Sequence, residues 1–549
     1  MLPLERHIET FHPSRGMTLH KHRLCMTLRS HPRIVFPHAK SVQKSDRPSM
    51  IRALLSAFAA RGTSTVVALA CGAITIRLYG RYLTPAELGS VAIPLQALTY
   101  LPLIDLGFRM VVNRHLLMAA DNPERIQLVR FGQQFNALML VAAPIVAVIV
   151  LSLAGQLRNS LGNNSSVPLY ACIGMGAGIS VALLSQASLL VGLGKQSLSF
   201  VLSSFGSILN LLSLWLAFRA GCRLWSLPIS LAGGSILVFP AIIFCLSRQL
   251  SVRDLLPLDI SRFPQLFSRY RTEAFACLRS QISIILLFSA DVILASLLFP
   301  AAEVGIYLIL TRIFAYGRSF LQIPSEISWP FLARNSERAV EWTLRLLNAN
   351  SWFQGCTYAV MATALPDIIH WYLGPKWQPP QALLFLMSLR FLLIGTTTPA
   401  SYYLASRGAF TIINRNVLRE MIVGSVIAVG LGFRFGLVGF VAGFVLSPLA
   451  GTALPMLVRI ASDSAGRLSR IVGNIWLRAA LAFSIPAGCA YWLRIAAPSL
   501  NIVVYILTPM LVGAFVLLCF IAARIVFSKS ISPPESPQSS TILRFTRWL

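Results

Sequence analysis

Between Cys277 and Leu332 two long apolar stretches carry five ionisable side chains, Arg279, Asp291, Arg312, Arg318 and Glu326, and are joined by the short turn Phe299-Pro300-Ala301-Ala302. A charge at the centre of a membrane helix costs roughly 2.5–3.5 kcal/mol. Groups at that depth face other helices or a wet cavity, and five in one helical pair exceed what folding requires. The chemistry they offer is electrostatic. Guanidinium groups can hold an anion, and carboxylates can tie helices together or take up a proton. No acid/base or nucleophilic constellation accompanies them, and the nine cysteines show neither CxxC nor Cys/His ligand spacing. No catalytic residue, metal or cofactor is therefore expected.

Each charged residue has a functional and a structural reading. Arg61, Thr65, Ala68, Gly72 and Thr75 fall on one small, polar helix face, the way a helix lines an aqueous cavity with its cation aimed at an anionic ligand. The structural alternative for Arg61 is snorkelling to the inner headgroups. The stripe favours the cavity. Asp105 and Arg109 stand in the acid-first i, i+4 order of an intrahelical pair, so they either neutralise each other or leave Arg109 for a ligand. Arg312 and Arg318, six residues apart, can both edge a wide cavity, whereas an Arg318–Glu326 or interhelical ion pair is the structural alternative. Asp291, near mid-span, is a protonatable switch or a tie between helices, and the tie is favoured. Arg279 reads as snorkelling, and Arg390 has no polar stripe beside it. The expected cationic cavity is thus Arg61, Arg109, Arg312 and Arg318, with Asp105, Asp291 and Glu326 as coupling or structural charges.

The elements that must position these residues follow from composition. The chain has 549 residues, 56% hydrophobic and only 12% charged, against about 25% charged in soluble proteins. This is the composition of an all-α polytopic membrane protein. Stretches long enough to cross a bilayer lie near 54–78, 88–112, 132–154, 168–193, 197–219, 226–247, 277–299, 304–330, 346–373, 379–405, 411–434, 436–459, 474–495 and 500–526, 14 in all. The net charge of +28 resides in short loops and the N-terminal tail, so nucleic acid is not an expected partner. Loops after even-numbered spans hold about 18 Lys and Arg against 8 after odd-numbered ones, which places both termini in the cytoplasm.

The expected organisation is a basic, disordered cytoplasmic tail over 1–51, a six-helix lobe over 52–247 and an amphipathic cytoplasmic connector over 248–276. A second six-helix lobe covers 277–460, two additional spans cover 461–527, and a Pro/Ser-rich tail covers 528–549. The lobes look alike. Leu83-Thr84-Pro85-Ala86-Glu87-Leu88-Gly89 and Phe299-Pro300-Ala301-Ala302-Glu303-Val304-Gly305 both occupy the first turn of a lobe, 216 residues apart from Glu87 to Glu303. Gly194 and Gly408, and Arg61 and Arg279, repeat near that spacing. Six-helix halves have the same topology and are related by an axis along the membrane normal, with substrate between them.

These residues resemble a known family. Arg77-Leu78-Tyr79-Gly80 through Gly89 is similar to its first external turn, Asp105-Leu106-Gly107-Phe108 to the end of its second helix, and Asp291 with Pro300 to Tyr307 to its seventh-to-eighth helix signature. Gly436-Leu437-Val438-Gly439 resembles the start of its twelfth helix. The family is the polysaccharide-transporter branch of the multidrug/oligosaccharidyl-lipid/polysaccharide exporter superfamily, typified by O-antigen and exopolysaccharide repeat-unit flippases. The resemblance, over roughly residues 52–530, implies a non-enzymatic transporter of the bacterial inner membrane that moves polyprenyl-pyrophosphate-linked oligosaccharide. It also implies polysaccharide polymerase and export machinery as partners. A drug or organic-cation exporter of the same superfamily is the first alternative, and a membrane glycan polymerase or ligase the second. The first would want acidic groups where this chain has arginine, and the second a long outer loop that the spans do not leave.

Overall fold

A computed structural model describes residues 47–118, 123–160, 166–250, 263–334, 339–464 and 468–496, with short stretches between 504 and 518. Contacts divide the chain after Ala53 into two units. Of the first, only residues 47–53 are described, as the opening turns of a helix; the second, residues 54–549, holds every other element. The tails up to 46 and from 528, residues 251–262 of the expected connector, and most of 500–526 lie outside the described residues.

The described residues form sixteen helices and no strand. In chain order these are α1 (Arg47–Tyr82), α2 (Pro85–Ser90), α3 (Ala92–Ala97), α4 (Phe108–Met118), α5 (Pro123–Ser160), α6 (Val167–Gly192), α7 (Gln196–Arg219) and α8 (Ser226–Ser247). They continue with α9 (Phe263–Leu298), α10 (Ala301–Arg334), α11 (Ala339–Leu373), α12 (Gln381–Thr396), α13 (Thr398–Ser406), α14 (Phe410–Pro448), α15 (Leu454–Asp463) and α16 (Leu468–Ala496). Among the described residues nine helical segments are long and apolar enough to cross a membrane, and a bent pair, Ala92–Asp105 with Phe108–Leu116, makes a tenth span. The protein is an all-α, multi-pass membrane protein. On α5, Val141, Ile145, Ile149 and Leu153 recur every four residues and are each more than half exposed. Such an uncovered apolar stripe belongs against hydrocarbon. α9 and α11 are nearly as long, and α11 buries Ser351 and Gln354 completely, as suits a helix surrounded by protein.

The two motifs that repeat in the sequence meet in space. At α2, Thr84 Oγ1 accepts from the Glu87 N–H at 3.2 Å and Glu87 accepts in return from the Thr84 N–H at 2.8 Å, a capping box that starts the helix after the Pro-containing turn. Its Gly89 lies against the first turn of α10. A Cβ on Gly89 would sit 1.7 Å from Ala301 O and 2.9 Å from Gly305 N; one on Gly305 would sit 2.0 Å from Pro85 O and 3.1 Å from Gly89 N. Pro85 corresponds to Ala301 and Gly89 to Gly305 at the repeat spacing, so the contact is reciprocal. Each motif does to its twin what the twin does to it, as across a two-fold axis. Only glycine permits the backbones this close.

The second expected span is broken rather than straight. Leu98–Asp105 tightens into a 3₁₀ stretch, and Leu106 and Gly107 take left-handed φ values of 51° and 79°. The Asp105 carboxylate accepts from the Gly107 N–H at 2.8 Å, holding the turn, and the chain bends by 53° before α4. At the other connection, α9 runs unbroken from Phe263 to Leu298, so residues 263–276 of the expected connector are helical and continuous with the expected seventh span. Their aromatic side is covered by protein: Phe267 stacks on Phe108 at 4.6 Å and Phe263 meets Phe131 at 5.3 Å. Near the C-terminal end, α14 doubles back at Gly436 (φ 64°), giving the expected eleventh and twelfth spans, and a π-helical turn, Leu449–Ala453, joins it to α15.

Candidate functional site

Arg61 on α1 and Glu326 on α10 pair at 3.3 Å, with side chains 43% and 30% exposed. The Arg61 guanidinium also lies over the Phe200 ring, 5.3 Å from its centroid. The pair joins the first helix of one expected lobe to the second helix of the other. Tyr402 on α13 lies beside the Glu326 carboxylate and in the field of both Arg61 and Arg318. Arg61, Arg318 and Glu326 are therefore brought together around one tyrosine. The predicted alternative of an Arg318–Glu326 pair gives way to the longer-range partner, because Arg61 approaches the carboxylate from the facing helix.

The small face of α1 serves two ends. Thr65 bonds back to the Arg61 carbonyl at 2.9 Å and Ala68 is exposed. Farther along, a Cβ on Gly72 would fall 2.4 Å from the Tyr316 ring. There the smallness lets α1 and α10 touch rather than lining open space.

Arg318 borders a cavity of about 280 Å³, with Gln322, Thr398, Ser401, Tyr402 and Thr452 among its other walls. This cavity, open on one side, is walled by α10, α12, α13, α14, α15 and the π-helical turn between the last two, all from the C-terminal half. Arg312 donates to the Leu95 carbonyl at 3.2 Å, a contact between the halves. Arg109 stands elsewhere: it pairs with Asp105 at 3.3 Å and faces Asn113, Asn136 and Ser188 of α4, α5 and α6. None of those neighbours also surrounds Arg61, Arg312 or Arg318. Asp105 serves both this pair and the Gly107 turn.

Asp291 is buried, and its Oδ2 accepts from Arg390 Nη1 at 2.6 Å and from the Tyr307 hydroxyl at 2.8 Å. The Arg390 partner, on α12, went unrecognised in the sequence because nothing polar flanks it in its own helix. Two further buried groups were missed. Glu420 on α14 accepts from the Thr452 hydroxyl, and Arg158 at the end of α5 donates to the carbonyls of Gly89 (3.1 Å) and Ser90 (2.6 Å) and to Tyr170 (3.1 Å). Glu420 had a visible signal, a carboxylate deep in an apolar span with Asn416 one turn before it. Arg158 had none, since its position reads as a loop cation. Arg279 is exposed. A larger cavity of about 520 Å³, between α12 and α16, is walled by Phe385, Leu389, Trp476 and Phe483 with no charge among its lining residues.

This architecture occurs in solved transporters. The chain is similar to the lipid II flippase MurJ in an inward closed conformation, with a TM-score of 0.65, 14% identity, and coverage of 86% of this chain and 99% of that one. It is also similar to a multidrug resistance MATE family transporter of the MOP superfamily in an inward-facing conformation, with a TM-score of 0.59, 14% identity, and coverage of 74% and 99%. The chain has the fold of MOP-type transporters. No family model matches its sequence, and no curated protein is similar to it. At such low identity the likeness speaks for the fold alone, so the substrate must be argued from the side chains.

Proposed function

We propose that the protein is a flippase that moves polyprenyl-pyrophosphate-linked oligosaccharide, an O-antigen or exopolysaccharide repeat unit, from the cytoplasmic to the outer face of the bacterial inner membrane by alternating access. The observation that carries this reading is the setting of Arg61. Its guanidinium is half-exposed, lies between the two halves, and is held by a carboxylate that an incoming phosphate can replace. Charge-assisted and bidentate bonds make arginine well suited to a pyrophosphate. Arg312 and Arg318 belong to the same binding surface, while Arg109 is the weakest member because Asp105 already engages it. The likeness to a lipid II flippase supports a lipid-linked cargo, whose prenyl chain stays in the bilayer. An inside-negative potential then favours outward passage of an anion by about 2.3 kcal/mol per charge per 100 mV. A polysaccharide polymerase and export machinery would take the product.

The likeness to a MATE transporter raises drug export as the competing reading. The ionised groups expected on the cavity side of the N-terminal half are Arg61 and Arg109 against Asp105, and such a surface does not favour organic cations. Arg61→Ala and Arg312→Ala should each abolish the appearance of repeat units at the outer face, with the protein still present in the membrane. Near-normal surface polysaccharide with both replaced would overturn the assignment. Drug sensitivity of a deletion strain with intact polysaccharide would favour the competitor.

A further inference from the structure

We infer that the cavity beside Arg318 is a subsite for a single sugar ring of the cargo, the ring attached to its phosphate. The inference rests on the flippase reading and adds to it a place where the glycan itself is recognised. Size comes first. The cavity measures about 280 Å³, room for about nine waters at ~30 Å³ each and at the lower edge of ligand pockets, about 300 Å³. It has room for one sugar ring, and the rest of a repeat unit would extend out of its open side.

Its chemistry points the same way. Arg318 and Gln322 offer donors from α10, while Thr398, Ser401, Tyr402 and Thr452 offer hydroxyls. Several of these hydroxyls spend their proton inside the protein: Thr398 on the Ile394 carbonyl at 3.4 Å, Ser401 on the Met456 sulfur at 3.1 Å, and Thr452 on Glu420. What they turn to a ligand is oxygen lone pairs. A wall of acceptors opposite guanidinium and amide donors suits a ring of hydroxyls, each of which both gives and receives. An isolated anion would want more cations, and a lipid tail would want no hydroxyls. The remaining wall is apolar, with Ile394, Phe410, Ile413, Val417 and Met456, surfaces on which the C–H faces of a sugar can pack.

Position completes the case. Tyr402 lines the cavity and also lies beside Glu326, the partner of Arg61. A phosphate on Arg61 and a ring against Tyr402 are therefore held by neighbouring groups, as the two ends of one sugar–phosphate linkage are.

The test uses full-length protein in nanodiscs and two short-chain probes, farnesyl diphosphate and farnesyl-diphospho-N-acetylglucosamine. The probe carrying sugar should bind more tightly. Thr398→Val combined with Ser401→Ala should cost it about tenfold in Kd, the scale of two lost hydrogen bonds, and leave farnesyl diphosphate unaffected, which also shows that the variant folds. Equal affinity of wild type for both probes, or equal losses in the variant, would overturn the subsite and leave the flippase reading intact. Arg61→Ala that keeps both affinities, while the hydroxyl variant still loses only the sugar-bearing probe, would overturn the phosphate site and keep the subsite.

Discussion

Asp291 and Arg390 show what a fully buried ion pair does in this molecule. Their side chains are 4% and 3% exposed, and Tyr307 completes the carboxylate's bonding. Removing one partner strands a charge in a low-dielectric interior, whereas removing both replaces a costly pair with packing. Asp291→Asn should therefore destabilise the protein by about 3–5 kcal/mol, and Asp291→Leu with Arg390→Leu should recover most of that loss. Thermal unfolding of detergent-solubilised variants would measure both. Restored stability together with restored transport would make the pair a tie between α9 and α12; restored stability with transport still lost would make it part of the coupling. The Arg61–Glu326 pair belongs to another regime. It is half-exposed, and such pairs contribute about 0–1 kcal/mol, so exchanging Glu326 for a phosphate costs the fold little.

At the scale of elements, α2 and the start of α10 act as one joint. Arg158 holds the end of α2 by its carbonyls, the favourable place for a cation at a helix C-terminus, and Gly89 and Gly305 allow the joint to close. Gly305→Val should force the two helices apart. In a chain whose native cysteines are replaced, Leu88→Cys, fully buried in this structure, should react slowly with a membrane-impermeant maleimide and quickly once Gly305→Val is added. Unchanged labelling would mean that the contact does not close the outer face. The joint was legible in the sequence as a repeated Ala-Glu-x-Gly pattern just after a proline, because symmetry writes the same turn twice. The helices were legible too, since hydrocarbon demands long apolar runs. The partners of the buried charges were not. Glu326 lies 265 residues from Arg61 and Arg390 lies 99 from Asp291; the periodicity of one helix tells which face a charge occupies and nothing of what stands across from it. The bend at Asp105–Leu106–Gly107 escaped for a related reason, since beside the local Asp105–Gly107 bond it packs against Ala274 of α9, a long-range contact.

For the whole molecule, the structure joins the two halves at two seams, which the proposed orientation places at the outer and the cytoplasmic face, and the two differ in strength. At the outer seam, the Gly89–Gly305 contact is flanked by Lys376 Nζ on the Leu83 carbonyl at 2.9 Å and buried Trp377 Nε1 on the Gly80 carbonyl at 3.3 Å. At the cytoplasmic seam, Arg61–Glu326 is joined by Arg114–Glu273 at 2.7 Å, with Arg114 55% exposed, and by His115–Glu273 at 3.0 Å. Close backbone packing cannot be loosened gradually, because a gap of about an ångström forfeits much of the dispersion energy. Wet ion pairs are worth little each and are screened by salt. Under the flippase proposal the ion-paired seam faces the cytoplasm and should open first, which is the order a cargo made in the cytoplasm requires. Glu326→Gln with Glu273→Gln should therefore shift the resting population toward an inward-open state. Spin labels at the cytoplasmic ends of α4 and α9 should move apart and broaden, and labels at the outer ends of α1 and α11 should keep their separation. Opening of the outer pair instead would show that carboxylates do not hold the inner face, and the ion pairs would lose their role as a latch that the substrate's own phosphate undoes.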